Sequence, residues 1–394
     1  MAAEHEKRAH ALLSASGAGR WMNCTPSARL EEEYGENETS VYAREGTIAH
    51  EISELFIRKD ILHNIGLQDF ESRLDELMND ELYRDEMLDY VGFYTDYCAG
   101  QYQEALSRNR YTVMEIEQRL DLRAFVKESF GTADCVVISD GLMEVIDLKY
   151  GKGVAVEAEW NKQLMLYGLG ALRKYDAEYD IEEVMLTIVQ PRLDNVSSWR
   201  ISAKELYQWA EKELKPKAEL AYEGKGELQS GEWCRFCSVK SRCRRLYDDQ
   251  MEIAKYEFND PVLLSDEEIS DIVLRAKKFT EWVGAIVEYA QSKSVKDGKQ
   301  WPHLKLVEGI SRRKWADEEK AAEDILSRCP TLSPDEVFIM KVKPITAIEK
   351  LVGKKDFAEK LSDIVVRPQG NPTLVPDSDK RPAMGVSQAI QDFK

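Results

Sequence analysis

No apolar run in this chain approaches the roughly 20 residues that a helix needs to cross a bilayer, so the sequence reads as a soluble protein. The first ten residues are charged and lack an apolar signal core, which leads to the expectation of a cytoplasmic location. There is no Gly-Xaa4-Gly-Lys-Ser/Thr phosphate loop, so any unwinding of nucleic acid would fall to a partner. No internal repeat is visible. Positive charge is in short supply, with 54 Lys and Arg against 72 Asp and Glu, a net charge of −18 and a pI of about 5.0. That excludes a protein that coats nucleic acid indiscriminately. It leaves room for an enzyme with an acidic body and a locally basic channel, since the acid is concentrated in stretches such as Asp69 to Asp89. Disulfides are not expected in a reducing compartment, so clustered cysteines point to metal.

What is present is a 394-residue chain, 43% hydrophobic and 32% charged, long enough for two or three compact units. Met1 to Glu36 reads as helical. A second helix is expected after a break at Glu45-Gly46, carrying Ile48, Ile52, Leu55 and Phe56, and an acidic helical region follows to about Arg108. The period then changes. Tyr111 to Leu122 alternates, and Thr132 to Tyr150 is two strand-like runs around Asp140-Gly141, a dipeptide that favours tight hairpins. Glu157 to Lys174 returns to helix, Glu183 to Gln190 is another strand, and Ala203 to Glu223 is helical. Ser265 and Glu268 form a capping box that opens a long helix with a stripe of Ile269, Ile272, Ala276, Phe279, Val283 and Ile286. A short strand near Trp301 to Val307, two more helices and a Pro-rich polar tail from Arg367 complete the reading.

The chemistry is concentrated in the hairpin. With Asp140-Gly141 as a two-residue turn, Asp134 faces Asp147 across the strands, at a Cβ separation of about 4.5–5.5 Å. At such range like charges repel by roughly 4 kcal/mol at an effective dielectric of 20. Val136, Ile138, Met143 and Val145 share that face, and Val137, Leu142, Ile146 and Leu148 line the other, so both sides read as buried. Two facing acids there call for a cation between them or a retained proton. Lys149 points to the same face, two residues after Asp147. Acid, acid and amine together suit divalent-metal hydrolysis of a phosphodiester. The plain alternative is a salt bridge from Lys149 to either aspartate.

His50 lies on the polar side of its helix, where a lone histidine is usually just solvated. Gln163 and Tyr167 share a face of the helix after the hairpin. In chain order, His50, Asp134, Asp147-Leu148-Lys149 and Gln163-Xaa3-Tyr167 resemble the RecB-like branch of the PD-(D/E)XK nuclease superfamily over roughly residues 45 to 245. The resemblance implies an α/β restriction-endonuclease-like core, ordered helix, three strands, helix, strand, with mostly helical N-terminal and C-terminal additions. It also implies Mg²⁺ or Mn²⁺ held by His50, Asp134, Asp147 and the Leu148 carbonyl, with Lys149 catalytic and Gln163 and Tyr167 placing the DNA strand.

Cys234-Xaa2-Cys237-Xaa5-Cys243 places three thiols within ten residues, a pattern that suits tetrahedral Zn²⁺ or an iron–sulfur cluster. A lone N-terminal cysteine, Cys24, followed by this C-terminal set resembles the iron–sulfur staple of AddB-type nucleases, which implies a structural 4Fe-4S cluster. Cys98, Cys135 and Cys329 read as small buried residues, with Cys135 on the face opposite the aspartates. Arg235, Lys240, Arg242, Arg244 and Arg245, with Trp233 and Phe236, form a candidate phosphate-facing patch, and Arg312, Arg313 and Lys314 a weaker one. The alternative for the first is a solvated loop.

The expected organisation is a nuclease domain over residues 1–255, a mostly helical region over 256–366 and a flexible tail over 367–394. The expected function is an exonuclease acting on single-stranded DNA or DNA ends in phage recombination or replication, in the cytoplasm of a bacterial host, with a single-strand-binding protein, helicase or recombinase as partner. Two readings compete with it: a non-catalytic DNA-binding scaffold that keeps the fold and the cluster, and a zinc-bearing adaptor.

Overall fold

A computed structural model describes residues 11–35, 41–252, 265–305 and 353–361, together with Ser327. The chain divides into two compact units, one of residues up to Leu263 with Lys278–Tyr289, the other of Leu264–Lys277 with Ala290–Lys394. The first unit is a mixed α/β structure. Helices α1 (Ala18–Trp21), α2 (Ser27–Tyr34), α3 (Val41–Asp60), α4 (Leu67–Met78) and α5 (Glu86–Arg108) precede strands β1 (Val113–Asp121), β2 (Phe130–Ile138) and β3 (Leu142–Leu148). Helix α6 (Lys162–Tyr175) then crosses to β4 (Glu183–Gln190), and β5 (Asn195–Ser202) closes one edge. The sheet order follows the chain, β1-β2-β3-β4-β5, with β3 and β4 parallel and the other pairs antiparallel.

The β-branched runs of β2 and β3 are buried on both faces, so the sheet is the middle layer. On one face α6 carries Leu164, Met165 and Leu169 into a core with Val136, Ile138, Met143, Val145 and residues of α1. The same core takes in α7 (Ala203–Trp209), which passes through a π-helical turn (Ala210–Leu214) into α8 (Lys215–Glu223). On the other face Ile57 of α3 and Tyr94 and Cys98 of α5 pack on Cys135, Val137, Ile146 and Leu148. A third cluster joins α3, α4 and α5 through Ile48, Ile52, Phe70 and Met87.

The hairpin register is the expected one: Cys135 pairs with Ile146 and Ile138 with Met143. Asp140-Gly141 forms the connection, with Gly141 at φ +81° and its carbonyl accepting from Glu182 and Glu183 at the start of β4. Several expectations are corrected. Residues 11–35 hold two short helices separated by turns rather than one helix, and α3 begins at Val41 and runs through Glu45-Gly46 without a break. Helix α6 starts at Lys162, not Glu157, because the Asn161 side chain accepts from the Gln163 and Leu164 amides and caps it there. Strand β5 has no counterpart in the sequence reading. It is an edge strand whose Ser197 and Ser198 break the apolar alternation, and a 3-10 turn at Pro191–Leu193 with Asp194 at φ +50° makes its hairpin with β4.

Helix α9 (Arg244–Met251) follows the cysteine segment. Helix α10 (Asp266–Asp297) opens with the Ser265/Glu268 capping box, but Ile269 and Val283 of the expected stripe are exposed and Trp282 is its buried residue. The described part of the strand expected at Trp301 to Val307 is a turn instead, closed by Leu304 N–H on the Trp301 carbonyl. A short helix, α11 (Lys354–Lys360), is described in the second unit, whereas the tail from Arg367, Cys329 and Arg312 to Lys314 lie outside the described residues.

Helix α6 sits close enough to β2 that a Cβ on Gly131 would lie 2.6 Å from the Tyr167 ring and 3.2 Å from Ala15 Cβ. Gly131→Ala is therefore expected to cost about 1–3 kcal/mol through overpacking. Gly19→Ala, where a Cβ meets nothing within 4 Å, should be neutral or stabilising in the same urea unfolding measurement.

Candidate metal centre

The site lies at the C-terminal end of β3, the middle strand of the sheet. Asp134 and Asp147 are both there, but the β2–β3 ladder stops at Cys135 and Ile146, and the Asp134 carboxylate takes over beyond it. Asp134 Oδ2 accepts the Leu148 N–H at 2.7 Å, while Oδ1 lies 3.3 Å from His50 Nδ1. His50 is thus not a solvated surface residue: α3 turns it toward the carboxylates of the sheet.

Asp147 is almost wholly buried. Its Oδ1 accepts from Gln163 Nε2 at 2.9 Å, and Gln163 Oε1 in turn accepts from Lys149 Nζ at 3.0 Å. The Gln163 amide also donates to the Tyr167 hydroxyl at 3.0 Å. Lys149 Nζ stands 2.7 Å from Asp147 Oδ2, so the other carboxylate oxygen is met by an ion pair. The salt bridge that the sequence offered as the plain alternative is thus formed, to Asp147.

Glu117 is the residue that sequence reasoning missed. In the β1–β2 register it stands opposite Asp134, flanked by the pairs Ile116–Cys135 and Gln118–Ala133. Glu117, Asp134 and Asp147 therefore form a row of carboxylates on three adjacent strands. Glu117 has φ +46°, a left-handed conformation that costs a non-glycine residue roughly 1–2 kcal/mol. The kink reverses the face of β1: Met114 and Ile116 pack with α5, whereas Leu120 and Leu122 pack with α6. Regular alternation would have kept all four on one face. The signal available was the register, which the eight-residue β1–β2 connection between Asp121 and Phe130 left open.

Among the described residues, ligand atoms of His50, Glu117 and Asp134 lie within 4.8 Å of one another. This compact set holds Glu117 where the sequence reading put Asp147, which stands just behind it. Burial raises Asp147 to about 6, with Lys149 opposing and Asp134 adding to the shift. Glu117 is pushed up to about 7 by burial and by Asp134. Burial acts to lower His50, but Asp134 and Asp147 outweigh it and lift the imidazole to about 9. Asp134 goes the other way: against its burial, His50, Lys149 and the Leu148 amide hold it below the ordinary carboxylate range.

The second constellation is cysteine. Cys24, Cys234, Cys237 and Cys243 line one pocket together with Trp233, Gln229 and Leu246. The cysteine segment is tied to α1 and α2 by Arg20 Nη1 on the Phe236 carbonyl, Ser238 N–H on Glu31 Oε1, and Arg242 on the Tyr34 carbonyl. Burial raises the thiols of Cys24 and Cys234, and takes Cys237 up to about 12. Cys98 and Cys135 are fully buried on the opposite face of the hairpin from the aspartates. Of the basic patch, Arg242 is spent on Tyr34 and Tyr289, and Arg244 on Tyr247. Phe236 remains 73% exposed.

A family model described as a protein of unknown function (DUF2800) matches residues 10–382. The chain belongs to the DUF2800 family. A solved crystal structure, SSO0001, matches this DUF2800 chain at 16% identity with a TM-score of 0.23, covering 56% of this chain and 95% of its own, a likeness too slight to bear on fold or function. Among the described residues, no helix is long and apolar enough to cross a membrane.

The raised carboxyls and imidazole have a common consequence. Between their ordinary values of 3.8 and 4.5 and about 6 and 7, Asp147 and Glu117 hold protons in the native state that the unfolded chain has lost, so stability falls as pH rises. His50 contributes stability below its ordinary 6.5 that is lost as pH rises toward about 9. The metal-free protein should therefore lose thermal stability from pH 5 to 8.5, Glu117→Gln should flatten that slope, and Mn²⁺ should raise Tm more at pH 8 than at pH 5.5. A Tm that rises over this range in metal-free buffer would contradict the assignment. Independently, Cys24→Ser should lower bound iron or zinc, measured by elemental analysis, and expose the 234–243 segment to limited proteolysis, whereas Cys98→Ala should leave metal content unchanged.

Proposed function

We propose that this chain is a Mg²⁺- or Mn²⁺-dependent DNA nuclease of the RecB-like PD-(D/E)XK type, acting as an exonuclease on single strands or DNA ends. The observation that carries the reading is the carboxylate row Glu117–Asp134–Asp147, partly buried at the first two and buried at the third, with Lys149 at its end, a charge arrangement that costs stability unless it serves a cation. The helix, three-strand, helix, strand order of the first unit supports it, with β5 added at the edge. The residues that would hold the ion are His50, Glu117 and Asp134, with Asp147 beside them, and the Leu148 backbone is already fixed by Asp134. A bound divalent ion supplies positive charge to a phosphate oxygen and lowers the pKa of a water.

The chain's own groups do the rest. Lys149 keeps an ammonium within 2.7 Å of Asp147, where it can neutralise charge that builds on a phosphoryl group. Gln163 holds both Lys149 and Asp147 through its two amide atoms, and Tyr167 fixes Gln163. The Tyr167 hydroxyl is held protonated by its burial and by the aspartates, so it serves as a hydrogen-bonding group rather than as a base.

The cysteine pocket supports a bound metal as well. Thiolate ligation by these four residues suits a structural iron–sulfur cluster, with Zn²⁺ as the alternative.

Degradation of end-labelled single- and double-stranded DNA with Mn²⁺ tests the reading. Asp147→Asn and Lys149→Ala are each expected to reduce cleavage by at least a hundredfold with the far-UV circular dichroism unchanged. Cleavage at the wild-type rate by both variants would overturn it.

A further inference from the structure

Beyond the carboxylates, the segment from Gly151 to Asn161 carries an aromatic surface that the proposed chemistry does not use. It is not loose. Gln190 Oε1 accepts the Val156 N–H at 2.7 Å and its amide donates to the Val154 carbonyl. Ser197 Oγ accepts the Ala158 N–H at 2.9 Å, and Asn195 donates to the Val156 carbonyl. Fastened in this way along β4 and β5, the segment ends by presenting Trp160, which is 52% exposed. Its φ is +54°, a conformation that bulky residues rarely adopt.

Trp160 does not stand alone. Its ring lies 4.9 Å from that of Trp199 on β5, tilted by 43°. Lys162 Nζ sits 5.4 Å over the Trp160 ring and 5.2 Å over that of buried Trp209, a cation already held against the aromatic surface. Trp160 thus keeps about half of its surface open beside a positive charge, on a chain whose overall charge is strongly negative.

Its position connects it to the candidate metal centre. Trp160 precedes the Asn161 cap of α6, and Gln163, which holds Lys149 and Asp147, follows three residues later. Trp199 pairs with Leu186, which pairs with Val145, two residues before Asp147. Two strand spacings across the sheet and two residues along it put the Trp199 backbone roughly 12 Å from that of Asp147. At the roughly 3.4 Å rise of a stacked strand that is about three to four nucleotides, and fewer for an extended strand.

We infer that Trp160, backed by Trp199 and with Lys162 beside it, is the stacking platform for an unpaired base of single-stranded DNA a few nucleotides from the scissile phosphate. The inference rests on the nuclease reading for its substrate, and it selects single strands within that reading. A base inside a duplex has both faces covered by its neighbours, so only an unstacked base can lie on the ring.

The test is binding of a fluorescently labelled oligodeoxythymidine to the full chain in Ca²⁺, beside a blunt duplex and an abasic strand of the same length. Trp160→Ala should weaken oligodeoxythymidine binding by roughly tenfold or more, Trp160→Phe should restore most of it, and binding of the duplex and the abasic strand should not change. Equal binding of oligodeoxythymidine by Trp160→Ala and wild type overturns the platform, as does an equal loss on the abasic strand. The Tm of each variant separates loss of stacking from loss of fold. If the wild type stacks the base but fails to cleave with Mn²⁺, the nuclease reading falls and the platform stands; if it cleaves and Trp160→Ala binds normally, the reverse holds.

Discussion

Three carboxylates lie side by side on strands β1, β2 and β3, and helices from both layers converge on their repulsion. Unpaired, a buried charge is among the most expensive things a fold can contain. Here each acid receives a different remedy. Asp134 is met by the His50 imidazole and the Leu148 amide, Asp147 by Gln163 and Lys149, and Glu117 is left with a raised proton affinity and a strained backbone. The helices of both layers contribute: α3 brings His50 from one side and α6 brings Gln163 and Tyr167 from the other. Removing the acids would relieve the fold, and their presence is the reason to assign the place a chemical task.

The cysteine pocket solves a different problem. Helices α1 and α2 are four and eight residues long, too short to be stable from their own backbone hydrogen bonds. They are held by Arg20, Glu31 and Tyr34 to the segment that carries Cys234, Cys237 and Cys243, and by Thr25 and Arg29 to the end of α8. Four thiols meeting in that seam concentrate metal affinity where the chain most needs fastening.

Much of this was legible in the residues. The hairpin register followed from Asp140-Gly141 and the two-residue period, and with it the adjacency of Asp134, Asp147 and Lys149. The helical period placed Gln163 and Tyr167 on one face of α6. Glu117 was not legible, because its place depends on a register across an irregular connection and on a kink that reverses strand alternation, neither of which leaves a periodic trace. Strand β5 escaped for a related reason: an edge strand with one covered face and a pair of serines at its centre has little hydrophobic pattern to read. His50 could not be placed by periodicity, because the polar side of a helix can face either water or a polar site; only the resemblance set it among the carboxylates.

The seam between the N-terminal helices and the cysteine segment also bears on how the molecule assembles. Thr25 bonds to Lys225 across 200 positions and Ser238 to Glu31 across 207, so the last contacts of the first unit join segments far apart along the chain. Contacts this distant carry a high closure entropy and form late. During synthesis, the polar ties of α1 and α2 wait until Lys225 and Ser238 have left the ribosome, whereas Trp21 and Met22 belong to the core shared with α6 and can be covered before then. The N-terminal helices are therefore fastened in two stages, their apolar side first and their polar seam last.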